Sequence, residues 1–227
     1  MVQNAQDSDL GTARKALEVL YKVYWPPLYA YLRRRGYSLE ESHDLLQAFF
    51  THLLEDDCLK KVSEEQGRFR AFMLACLKNL LADEHRRQNA LKRGAGRKHF
   101  SLDVASAERR LSLEPREDTT PEDLFERGWA LTTVDRALGR LRAQYRETGD
   151  FERFERMQEY LTGDQPALPY RETAADLNMS EDALRQAVHR LRRRYGRCLR
   201  AEISETVAGA TDVDDEVRHL LQVLRAK

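Results

Sequence analysis

Between Arg185 and Arg200 the chain carries seven arginines and no acid. A guanidinium offers five N–H donors in a rigid plane, which suits phosphate oxygens and the acceptor edges of bases. The chemistry this points to is the binding of a polyanion. Arg185, Gln186 and His189 come early in the run and could reach base edges. Arg190, Arg192 and Arg193 follow and suit phosphates. A second block, Arg86–Lys98, holds six basic residues and no acid. The 227 residues have a net charge of zero, so two separate basic blocks suggest two contact surfaces rather than a generally basic protein.

Residues arranged for bond-breaking are missing. There is no Ser/His/Asp order, P-loop, HExxH motif or pair of carboxylates in a glycine context. His43, His52, His85, His99, His189 and His219 have no mutual metal spacing, and Cys58, Cys76 and Cys198 form no CxxC. Neither an enzyme nor a bound cofactor or metal is expected. Three scattered cysteines fit a reducing compartment. The polar start MVQNAQDSDL is no signal peptide, and no apolar run has the length of a membrane span. A cytoplasmic location with no membrane partner is expected.

The arginine run needs an element to hold it. Ser180 is a suitable N-cap, and Glu181 and Asp182 follow in the first turn. Ala183, Leu184, Ala187, Val188 and Leu191 recur at helical spacing and form an inward stripe. A shorter helix from Tyr170 to Leu177 precedes it, with Ala174, Ala175 and Leu177 inward and a turn at Asn178 and Met179. The pair predicts a helix-turn-helix.

The rest of the chain also predicts helices, so the expected fold class is all-α. One helix spans about Thr12–Tyr24, with Ala16, Leu17, Leu20 and Val23 inward. Pro26 and Pro27 interrupt the pattern, and Leu28–Arg35 continues it to a stop at Gly36. Ser38 and Glu41 predict a capping box for a helix carrying Leu45, Leu46, Phe49, Phe50, Leu53 and Leu54. Arg68 to about Asn89 predicts another. Residues 94–120 read as a linker, with a short helix near Val104–Arg110. Thr120 and Pro121 start a second helical domain, with Leu124, Trp129, Val134, Leu138, Leu141 and Tyr145 inward. Asp150 starts a helix with Phe151, Phe154, Met157 and Leu161 inward. The tail predicts a closing helix, with Val213, Val217, Leu220, Leu221 and Leu224 as its stripe. The expected domains are 1–93, 121–204 and a C-terminal extension, 205–227.

Two segments carry a family resemblance. LEESHDLLQAFFTHLLE, Leu39–Glu55, resembles the polymerase-binding helix of region 2 in bacterial sigma factors. FRAFMLACLKNLLADEHRRQNALKR, Phe69–Arg93, resembles the promoter-melting segment that follows it. The helix-turn-helix falls where region 4 stands. The order is that of the extracytoplasmic-function type, which keeps regions 2 and 4 only. FERFERMQEYLTGDQPALPY departs from the leucine-rich pattern usual before the helix-turn-helix, and the C-terminal helix is additional.

The resemblance implies a factor that directs core RNA polymerase to promoter DNA. His43, Asp44, Gln47 and Thr51 would dock on the clamp helices of the polymerase's largest subunit. Phe69, Phe72, Lys78, Asn79, Arg86, Arg87, Lys92 and Arg93 would serve the −10 element, with the pocket for an everted base around Lys78 and Asn79. Opening a duplex needs aromatic and amide groups for unstacked bases and cations for the backbone, which these residues supply. For Phe69 and Phe72 a plain core stripe is the favoured alternative, and Asn79 equally fits the helix surface. The recognition helix would read the −35 element, and an anti-sigma factor is a candidate partner. The competing class is a conventional helix-turn-helix regulator with an all-helical sensor domain.

Overall fold

The computed structural model describes residues 10–55, 69–90, 119–161, 169–206 and 210–226. Among these, all regular structure is helical: α1 Leu10–Arg34, α2 Leu39–Glu55, α3 Phe69–Ala90, α4 Pro121–Glu147, α5 Phe151–Met157, a 3₁₀ turn Gln158–Tyr160, α6 Tyr170–Asp176, α7 Glu181–Ser204 and α8 Ala210–Arg225. The all-α expectation holds. No helix among the described residues is long and apolar enough to cross a membrane. The expected helix near Val104–Arg110 lies outside the described residues.

Local chemistry sets most helix ends. Gly36 takes φ +90, where a Cβ would be strained, and lets Tyr37 N–H reach the Leu32 carbonyl at 3.2 Å, which closes α1. Ser38 and Glu41 bond reciprocally: Ser38 N–H to the Glu41 carboxylate at 2.7 Å, and Glu41 N–H to Ser38 Oγ at 3.2 Å. The same box recurs at α4, where Thr120 N–H donates to Asp123 at 3.1 Å and Asp123 N–H returns to Thr120 Oγ1 at 3.1 Å.

The prolines do not interrupt α1, which is one helix with Pro26 and Pro27 inside it. An interior proline costs a helix about 3 kcal/mol. Burying one large apolar side chain returns about 1.5–3 kcal/mol. Trp25, Leu28, Tyr29, Tyr31 and Leu32 are all buried around the two prolines, so packing overrides the local preference.

The chain divides into two compact units, Met1–Thr132 with Ser204–Lys227, and Thr133–Ile203. The division falls inside α4 rather than at residue 121, and α8 clusters with the first unit. In that unit α1 packs on α2 and α3, and α2 on α3. The start of α4 joins them closely. A Cβ at Gly128 would lie 3.0 Å from Pro27 Cα, so the glycine lets α4 pass α1 closely without displacing the α1 backbone.

A buried cation organises the same unit. Arg70 of α3 is 5% exposed; it donates to Glu126 of α4 at 2.7 Å and to Glu216 of α8. Its guanidinium lies 4.9 Å from the centre of the Trp129 ring. This explains a departure in α8. Glu216 and Leu220 are buried there, whereas Leu221 and Leu224, expected inward, are exposed. The face that turns inward is the one that brings Glu216 to Arg70. His219 also reaches Glu126, at 2.9 Å. Burial first, and the Glu216 carboxylate second, push the Tyr24 phenol well above its ordinary pKa.

In the second unit Ala137, Leu141, Phe154, Met157, Tyr160, Leu184, Val188, Leu191 and Ile203 are buried. Cys198 is buried beside them, and burial pushes its thiol up, as suits a filler rather than a ligand.

Candidate nucleic-acid interface

The turn between α6 and α7 is built on an αL residue. Asn178 has φ 52, and the turn closes with Met179 N–H on the Ala174 carbonyl at 2.9 Å. Asparagine tolerates this conformation better than most residues. Ser180 Oγ then accepts from Ala183 N–H at 3.2 Å and starts α7. On α6 the buried residues are Thr173 and Ala174, whereas Ala175, expected inward, is exposed.

On α7 the buried stripe is Leu184, Ala187, Val188, Leu191, Cys198, Leu199, Glu202 and Ile203. Gln186, His189, Arg190, Arg193 and Arg197 are all exposed. They stand at i, i+3, i+4, i+7 and i+11, so they share the opposite face. Arg197 was not among the expected site residues, although its spacing from Arg193 marks it.

Two arginines of the expected set are engaged by other residues of the protein. Arg192, expected on phosphate, donates Nε and Nη2 to the Tyr160 carbonyl at 2.9 and 2.7 Å. The carbonyls at a helix end lack intrahelical partners, and this bidentate grip satisfies one at the end of the 3₁₀ turn. Arg192 is thus a structural anchor in this structure. Arg185 is exposed but held, by Glu181 at 2.5 Å and over the Tyr170 ring at 4.8 Å.

In the first unit, α3 separates the expected −10 residues. Phe69 is 4% exposed and packs edge-on to Tyr24 with centroids 5.5 Å apart. It belongs to the core and offers no ring to a base. Phe72, beside it at 5.7 Å, is half-buried. Lys78, Asn79 and Arg86 are exposed, so the surface alternative holds for Asn79. Lys78 pairs with Glu122 at 2.7 Å, and Arg86 pairs with Asp83. The side chain of Arg87, with Lys92 and Arg93, lies outside the described residues.

The polar face of α2 keeps three of its four expected residues. Gln47 and Thr51 are exposed and Asp44 is half-exposed, at i+3, i+7 and i. His43 turns away. Its ring meets Trp25 edge-on at 5.2 Å and Tyr29 at 5.8 Å, and its Nε2 is buried without a hydrogen-bond partner among the described residues. An imidazole between aromatic rings belongs to the packing, not to a docking face.

That placement has a pH signature. Burial lowers the His43 pKa, with Asp44 opposing. The unfolded chain then binds the proton more readily than the folded one, so stability rises with pH through the interval below about 6.5 and is lost as pH falls. His43→Gln is expected to flatten this part of the stability–pH curve in thermal melts from about pH 5 to about pH 8. An unchanged slope would assign it to another group.

Comparison with known proteins bears on this arrangement. Residues 20–91 match the family model for Sigma-70 region 2. The match runs from within α1 through α2 and α3, and so covers both first-unit faces described above. No curated protein and no solved structure matches the chain.

Proposed function

We propose that the protein is a sigma factor of the extracytoplasmic-function type, acting without chemistry of its own in the cytoplasm. The observation that carries this reading is the region 2 match followed, later in the chain, by a helix-turn-helix with a continuous basic face. Asp44, Gln47 and Thr51 on α2 bind the polymerase clamp helices. Phe72, Lys78, Asn79 and Arg86, with Arg87, Lys92 and Arg93 in sequence beyond them, serve the −10 element. Arg185, Gln186 and His189 read the −35 element, and Arg190, Arg193 and Arg197 hold its phosphates. Such a factor works in two places on one promoter, which fits two compact units and, in sequence, two separate basic blocks in an otherwise neutral chain. An anti-sigma factor is the regulator this type of protein would meet.

The test is run-off transcription from a genomic library with purified core polymerase, alongside a pull-down of core polymerase. Asp44→Ala/Gln47→Ala is expected to weaken polymerase binding while shifting stability by no more than about 0.5 kcal/mol, as surface changes usually do. Tight binding to a palindrome without polymerase, and no initiation with it, would replace this reading with a conventional regulator. A large fall in melting temperature would mean that the α2 face is structural.

A further inference from the structure

Arg185 of the second unit is supported by a chain of contacts that begins in the core. Tyr160 is 2% exposed. Its hydroxyl donates to Thr173 Oγ1 at 2.7 Å, and its carbonyl takes both donors of Arg192. The Tyr170 ring packs against the Tyr160 ring with centroids 4.4 Å apart. The Arg185 guanidinium lies 4.8 Å from the centre of the Tyr170 ring, and its Nη2 donates to Glu181 at 2.5 Å. Arg185 itself stays 58% exposed. The contacts on its side chain are therefore orienting contacts, not burial.

Two consequences follow from elementary chemistry. A long side chain that is already ordered loses less freedom on binding. A guanidinium that shares its charge with an adjacent carboxylate is a poor grip for phosphate, yet one acceptor takes only one of its five donors. The planar edge that remains matches a base with two acceptors side by side. In the major groove that base is guanine, through O6 and N7, whereas adenine sets a donor beside its N7.

We propose that Tyr170 is a specificity-determining positioning residue, which with Glu181 presents Arg185 to a guanine in the upstream element. This rests on the reading of α6 and α7 as the duplex-reading module. Tyr170 touches no base. It acts through Arg185, and its ring matters more than its hydroxyl.

The experiment selects upstream sequences from a randomised duplex pool with the full chain bound to core polymerase, then measures competition between guanine and adenine at each enriched position. The wild type is expected to prefer guanine at one position by about tenfold or more, the scale of a good bidentate contact. Arg185→Ala should abolish that preference. Tyr170→Leu, which keeps bulk but removes the aromatic face, should reduce it several-fold and leave the other positions unchanged. Tyr170→Phe should restore it, and Tyr170→Leu/Arg185→Ala should be no worse than Arg185→Ala. Melting curves of all variants identify any loss that comes from unfolding. The inference is overturned if Tyr170→Leu, folded at the assay temperature, keeps the full guanine preference or weakens every sequence equally. A wild-type complex that selects no upstream sequence overturns the underlying reading, and this inference with it.

Discussion

Arg70→Ala is expected to cost the first unit about 3–5 kcal/mol, the usual penalty for leaving a buried charge without its partner. The Glu216 side chain is 3% exposed, so water cannot replace the guanidinium that now meets it. Glu126 is 26% exposed and can recover part of its hydration, so most of the penalty falls on Glu216. Arg70→Met separates charge from volume. It keeps most of the stem packing and should be nearly as damaging as alanine. Adding Glu216→Leu to Arg70→Met removes the stranded charge and should recover much of the loss, because an apolar pair of similar volume often replaces a buried ion pair without penalty. Urea unfolding measures all three. An Arg70→Ala protein that unfolds at the wild-type midpoint would deny the network any role in stability. The expected structural consequence is release of α8, visible as new protease cleavage within Ala210–Arg225.

The features that were legible in the sequence are those decided within a few residues. The Ser38–Glu41 box, the Gly36 stop, the Thr120 cap with Pro121, and the Asn178–Ser180 turn all rest on short-range bonds that recur wherever those residue types meet at those spacings. The stripe of α7 was equally legible, since period alone places Leu184, Val188 and Leu191 opposite Gln186, Arg190 and Arg193. What escaped depends on partners distant in the chain. Arg70 and Glu216 are 146 positions apart, and Arg192 and Tyr160 are 32. Composition cannot distinguish an arginine that meets a phosphate from one that meets a carbonyl. Position on the helix helps only in part. At 100° per residue Arg192 lies on the flank of α7 rather than on its outer face, but only the 3₁₀ turn tells what it meets there. The prolines of α1 failed for a related reason, because local preference was weighed without the five buried neighbours that outvote it.

The same logic locates the second large effect, at Glu202 near the end of α7. An acid there opposes the helix dipole, since the last turn favours cations. Glu202 is 6% exposed nonetheless. Arg136 Nε donates to its Oε2 at 2.8 Å, and Arg140 Nε approaches its Oε1 at 2.8 Å. The two arginines stand one turn apart on α4, so the carboxylate bridges them and fixes the end of α7 to α4. Each charge-assisted bond is worth about 1.5–3 kcal/mol net. The arginine side chains are 25% and 36% exposed, so water partly compensates them when the acid is removed. Glu202→Ala is therefore expected to cost the second unit about 3 kcal/mol rather than the full sum. Arg136→Ala alone should cost less, because Arg140 still neutralises the carboxylate, and Arg136→Ala/Glu202→Ala should be clearly less than additive. DNA selection by the folded fraction should be unchanged, since neither residue lies on the outer face of α7. A shift in sequence preference without a fall in stability would instead make Glu202 part of the reading surface, and an unchanged melting temperature would show that the bridge adds nothing to the fold.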